Sequence, residues 1–397
     1  MGESITALVQ RLPSRFAGSE AKISRTRFRL AIGRQTADVV LTDEWCVVEE
    51  AGDEEPDVTI STDSATWRAI DAGRMSGIEA FADRKVSVKG SIEKSLLFEP
   101  LFDRPDRGGF RYSLKRVSLG GTEIFALRGG VEGGTPLILI HGLGATKASW
   151  LPVVPALAKD YDVYALDLPG FGGSSKPRGK YDAKFFADHV FRFMDIEGID
   201  RAFIAGNSLG GRVAMEMGMQ EPERVAALAC LCPAAAFTKR PWLRVVRLLR
   251  PELGIGALML PRKRVKEELM HLFYKPGRIG DDWYEAAIDD FLDYWKSPRA
   301  RMAFFASLRN IYLDEPDGDN GFWDRLSTMR TPAFYIYGRR DVLITSRFGR
   351  KVKKALPQAR VETWDDCGHV PQLEFPERTV DHMVEFFKRA EFSEQAV

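Results

Sequence analysis

Apolar and polar positions follow two different rhythms along this chain. Up to about residue 103 short stretches alternate with period two: Phe28 to Gly33, Ala37 to Glu49, Val58 to Ile60 and Lys85 to Gly90. That period belongs to strands with one buried face. Helical spacing separates them. Ile5, Leu8, Val9 and Leu12 share one face of a first helix. Ser64 caps a second that runs through Trp67 and Ile70 to Ala72, and Gly73 ends it. Ile78 to Ala82 forms a third, and Ile92 to Phe102 a closing helix with Leu96, Leu97 and Leu101 on one face. The pattern predicts a small α+β domain over residues 1–103. Asp103 to Gly109 is polar and rich in glycine, as a linker is.

From residue 110 to 397 the rhythm changes. Arg111 to Leu119 and Thr122 to Leu127 read as an antiparallel pair joined through Gly120 and Gly121. After it, apolar strand runs alternate with helical ones: the strand Pro136 to His141, helix Trp150 to Ala158, strand Tyr161 to Leu166, helix Asp182 to Glu197, strand Ala202 to Ala205, helix Arg212 to Gln220 and strand Val225 to Cys232. Strands Ala333 to Tyr337 and Val361 to Trp364 and a helix from Glu377 complete the series. Such alternation predicts an α/β fold with a mainly parallel sheet and helices on both faces. It stops between about 233 and 323, where the pattern is helical throughout and predicts a cap.

At 397 residues two domains are expected. The net charge of +1 provides no field for nucleic acid. No apolar run is long enough to span a bilayer. The first residues lack a basic start and an apolar signal core; Gly2 and Thr6 fit a short acylation pattern, but the amphipathic helix from Ile5 accounts for them better. The four cysteines do not form a disulfide framework, which points to a reduced, cytoplasmic protein. The acidic stretch Asp43 to Asp57 lacks metal-ligand spacing and reads as a solvated hairpin edge.

The chemistry concentrates around Gly206-Asn-Ser-Leu-Gly210. A serine in a tight turn between a strand and a helix projects its hydroxyl at the sheet's end, and the flanking glycines let strand and helix approach. Ser208 needs a base and the base needs an orienting acid. Of the five histidines, His369 follows a strand and a glycine; His141 has a structural place, and His189, His271 and His382 lie in helical patterns. Asp341, in the turn after the strand Ala333 to Tyr337, is preferred as the acid, with Asp365 and Asp366 as competitors. The N–H groups of Leu143, after Gly142, and of Leu209 are placed to bind an oxyanion.

These stretches, with Asp167-Leu-Pro-Gly-Phe-Gly-Gly-Ser174, resemble the α/β-hydrolase superfamily over about residues 112–390. Residues 5–102, with Trp67 to Gly73, Gly77 to Phe81 and Val86 to Gly90, resemble the sterol carrier protein type-2 family, which implies an apolar tunnel for lipids. Together they imply a serine hydrolase of carboxylic esters with lipid-like substrates, no cofactor and no metal. Two alternatives stand beside it. One is a carbon–carbon bond hydrolase of vinylogous diketones: the turn Gly206 to Gly211 resembles that subgroup's, while its members usually carry tryptophan where this chain has Val370. The other is a lipid-binding or transfer protein with secondary hydrolase activity. One cap segment adds a surface question. Arg240, Arg244 and Arg247 share a helical face opposite Trp242, Val245, Val246 and Leu249, with an apolar run from Ile255 to Leu260 beyond. Such a helix either packs on the core or makes peripheral membrane contact.

Overall fold

The computed structural model describes residues 3–18, 24–237, 243–248 and 260–395. Gly2, Arg240, Trp242, Leu249 and the run from Ile255 to residue 259 lie outside them. The first sheet holds β1 (Thr26–Ile32), β2 (Gln35–Leu41), β3 (Cys46–Glu50), β4 (Val58–Thr62) and β5 (Val86–Gly90), in the order β3-β2-β1-β4-β5. β1 and β4 pair parallel at its centre, and the other pairs are antiparallel. Helices α1 (Ile5–Gln10), α2 (Ser64–Asp71), α3 (Gly77–Ala82) and α4 (Ile92–Ser95) bring Leu8, Trp67, Ile78 and Ile92 into a core with Phe28, Leu30 and Val39.

Three local expectations need correction. The run Ala37 to Glu49 is two strands, because the Thr42 hydroxyl accepts the N–H groups of Glu44 and Trp45 and turns the chain. α2 is capped by Asp63 rather than Ser64: the carboxylate takes both the Ala65 and Thr66 N–H groups, at 2.7 and 2.9 Å. The closing helix is broken. α4 ends at Ser95 and a 3₁₀ turn follows at Glu99–Leu101, where Pro100 removes a donor.

The second sheet holds β6 (Tyr112–Ser118), β7 (Glu123–Gly130), β8 (Pro136–Ile140), β9 (Asp162–Leu166), β10 (Ala202–Asn207), β11 (Val225–Leu231), β12 (Ala333–Gly338) and β13 (Arg360–Trp364). Their order is β13-β12-β11-β10-β8-β9-β7-β6. β6, β7 and β9 pair antiparallel; every pair from β9 to β13 is parallel. The strand order reverses around β8, so the loops after β8 and β10 open on a common crevice. α5 (Val154–Leu157), α6 (Ala183–Glu197) and α7 (Leu209–Gln220) connect these strands. The helix expected over Trp150 to Ala158 is instead a 3₁₀ turn at Lys147–Trp150 followed by the short α5, since Pro152 and Pro155 interrupt it.

After β11 come the cap helices α8 (Leu243–Leu248), α9 (Arg262–Met270), α10 (Asp281–Lys296), α11 (Pro298–Leu313) and α12 (Phe322–Ser327). Arg309 of α11 donates to the carbonyls of Val246 and Arg247 on α8, and Val245 and Leu248 remain exposed. α13 (Arg347–Ala355), α14 (Pro371–Glu374) and α15 (Pro376–Gln395) complete the chain. Among the described residues no helix is long and apolar enough to cross a membrane.

Candidate active site

The turn between β10 and α7 is strained at one residue. Ser208 has φ 55° and ψ −113°, a conformation L-residues rarely adopt. Its neighbours must be glycine for want of space: a Cβ on Gly206 would lie 2.2 Å from the Gly210 carbonyl carbon, and one on Gly210 would lie 2.1 Å from the Ile140 oxygen. The turn is pinned from both sides, with the Ser208 N–H donating to Leu231 and its carbonyl accepting from Ala234, each at 2.9 Å.

His369 and Asp341 meet at the same end of the sheet. The His369 Nδ1 lies 2.7 Å from Asp341 Oδ2. The other carboxylate oxygen accepts the N–H groups of Leu343 and Ile344, both at 2.8 Å. The Asp341 carboxylate is wholly buried and the histidine nearly so. Asp365 and Asp366, the competing carboxylates, turn outward: Asp365 pairs with Arg339, and Asp366 with Arg378 and Arg278. Three of the other histidines are engaged elsewhere. His141 Nε2 accepts the Leu168 N–H while Nδ1 donates to Gly142, and burial lowers its pKa, so it stays neutral. His189 bonds Phe185, and His382 pairs with Glu362.

The oxyanion donors are expected on Leu143 and Leu209. A Cβ on Gly142 would lie 3.3 Å from the Ser208 Cβ, so the loop after β8 abuts the serine. Leu209 opens α7, so its N–H is one of the first-turn donors that a helix leaves free.

Three supporting residues escaped sequence reasoning. Asn207 donates through Nδ2 to the carbonyls of Leu231 and His369, both at 3.0 Å, and so ties the serine turn to the histidine loop. Its place next to the serine was the available signal. Buried Glu374 accepts the N–H of Gly368 at 2.8 Å and those of Lys275 and Tyr274 at 2.9 and 3.3 Å. The histidine loop is thereby clipped to the cap, and the His369 N–H also donates to Leu272. Cys232 lies beyond the end of β11 with φ 44°, and its Sγ shares a 4.8 Å neighbourhood with ligand atoms of Asp341 and His369. Burial holds its thiol well above the usual range, so it stays neutral beside the pair.

The profile of the alpha/beta hydrolase family matches residues 137–382. The chain belongs to that family. The SCP-2 sterol transfer family matches residues 12–103, on the first sheet and its helices. The dihydrolipoyllysine-residue acetyltransferase component of the acetoin cleaving system of Pseudomonas putida is 29% identical over 277 residues, 69% of each chain. A 2-hydroxymuconate semialdehyde hydrolase of Pseudomonas sp. (strain CF600) is 27% identical, covering 65% of this chain and 88% of its own. Among solved structures, a membrane phospholipase A described as a bacterial virulence factor superposes with a TM-score of 0.59 at 29% identity, covering 70% of this chain and 87% of that one.

Proposed function

We propose that this hydrolase cleaves carboxylic esters, with lipid-like substrates, through an acyl-enzyme on Ser208. The observation that carries the proposal is the 2.7 Å contact between His369 and buried Asp341 beside a strained serine turn. Ser208 Oγ attacks the ester carbonyl as its proton passes to His369 Nε2. Asp341 fixes the tautomer through Nδ1 and stabilises the imidazolium. The Leu143 and Leu209 N–H groups receive the oxyanion. The alcohol leaves with the proton from His369, and water then releases the acid by the same route. The lipid preference is supported by the phospholipase likeness and by the N-terminal sheet, which faces an apolar cavity of about 90 Å³. The proposal divides the chain into a lipid-binding unit at 1–103 and a hydrolase unit at 110–397 with its cap at about 233–323.

Carbon–carbon hydrolysis of a vinylogous diketone is the second reading, favoured by the likeness to the semialdehyde hydrolase. One observation weighs against it: Val370 follows the histidine, where members of that group usually carry tryptophan. A third, lipid transfer with secondary hydrolysis, rests on the N-terminal sheet alone. The deciding experiment is rapid-quench mass spectrometry with a slow ester and with a dienoate ketone. An acyl adduct mapped to Ser208 from the ester supports the proposal; turnover of the ketone alone overturns it.

A further inference from the structure

The N-terminal cavity and the loop after β8 are joined by one turn of chain. α4 lines the cavity with Ile92 and Ser95, and Leu96 follows directly. The same turn meets α10 and the loop after β8 with its other groups. The Ser91 hydroxyl and the N–H groups of Ile92 and Glu93 all donate to the Asp290 carboxylate on α10, at 2.5, 3.0 and 3.2 Å. The Glu93 carboxylate bonds Lys147 Nζ, which also reaches Asp167 at 2.9 Å. Lys147 is wholly buried, and although burial opposes its charge, Asp167 and Glu93 outweigh it and keep the ammonium charged.

One partner of α4 belongs to the proposed oxyanion loop, and the other is next in sequence to a residue that packs on it. Lys147 belongs to it, and its backbone N–H is fixed on Asp167 at 2.7 Å. Phe291, next to Asp290, stands with Phe304 against Gly144: a Cβ there would lie 3.3 and 2.9 Å from the two rings. A second connection runs in parallel. The 3₁₀ turn Lys147–Trp150 leads straight into Leu151, which lines the cavity. Within the cavity, Trp67 is buried and its indole N–H has no partner among the described residues. A buried donor left open suits a ligand with an apolar tail and an acceptor head. Close-packed charge junctions of this kind shift between discrete arrangements rather than deforming smoothly.

We propose that the N-terminal cavity is a regulatory site for an acyl-chain amphiphile, and that α4 transmits its occupancy to the Ser208 site through the Glu93–Lys147 and Ser91–Asp290 contacts. The proposal rests on Ser208 being the nucleophile. Its test therefore uses a fluorophosphonate, whose attack on Ser208 does not depend on the natural substrate. The labelling rate of the full chain is measured with and without a saturating fluorescent C16 fatty acid, whose binding is followed by its own emission. The wild type is compared with Asp290→Asn, Glu93→Gln and the milder Ser91→Ala. The expected result is a change in labelling rate of about fivefold or more on fatty-acid binding to the wild type. In the variants that response collapses while the affinity for the fatty acid stays within about twofold. An equal response in the wild type and every variant means competition at Ser208 and overturns the coupling, as does no response or no fatty-acid binding. Absence of labelling in the wild type, by contrast, overturns the nucleophile and the proposal with it.

Discussion

The two sheets of this chain put their chemistry in different places. In the C-terminal sheet Ser208, Asp341 and His369 stand just beyond the ends of β10, β12 and β13. These strands run parallel, so their ends lie at one edge and their loops can meet. In the N-terminal sheet most neighbours are antiparallel, and successive strand ends fall at opposite edges. No such edge collects side chains. Its inward face carries the lining instead: Ile60, Val86 and Val88, closed over by Trp67 and Leu96. Under the proposed function, one sheet is built to react and the other to hold.

Substitutions break this comparison in order of size. Ser208→Ala lowers kcat for a short ester by ~10⁴- to 10⁶-fold and leaves fatty-acid affinity unchanged, read by steady-state turnover and probe fluorescence. Asp341→Asn lowers kcat by ~10³- to 10⁴-fold with near-ultraviolet dichroism preserved, because the imidazole loses its tautomer and not its place. Gly210→Ala drives a methyl against the Ile140 carbonyl, separates the serine turn from β8 and costs roughly 10²-fold in kcat/KM.

Glu216→Gln sharpens the comparison from the side of stability. Glu216 lies on α7, buried, with Arg212 at 2.9 Å and Arg325 at 2.8 Å. Burial opposes its charge, yet the two guanidinium groups win and lower its pKa to about 2. A folded value below the unfolded one stabilises fully above the ordinary carboxylate range and is lost as pH falls towards 2. The variant therefore loses about 3 kcal/mol at pH 7 in urea unfolding, and the gap to the wild type narrows by pH 3.

Much of the candidate site's local geometry was legible because its constraints are local. The glycines around Ser208 and the strand before Asp341 each act within a few residues. Asn207, Glu374 and Cys232 were not legible, since their partners lie in distant loops and no periodicity marks them. The charge junction is the extreme case. Glu93, Lys147 and Asp290 come from the N-terminal sheet's helix, the loop after β8 and a cap helix, and only the assembled fold brings them together. Element types were read well where packing agreed with pattern. They failed at Pro100, Pro152 and Pro155, where a missing donor overrode the apolar spacing.

The most direct test is hydrolysis of a nitrophenyl ester series, from short to long acyl chains, by the full chain and by Ser208→Ala. The account predicts turnover that depends on Ser208 and rises with acyl length. Equal turnover by the variant, or none by the wild type on any ester, would contradict it.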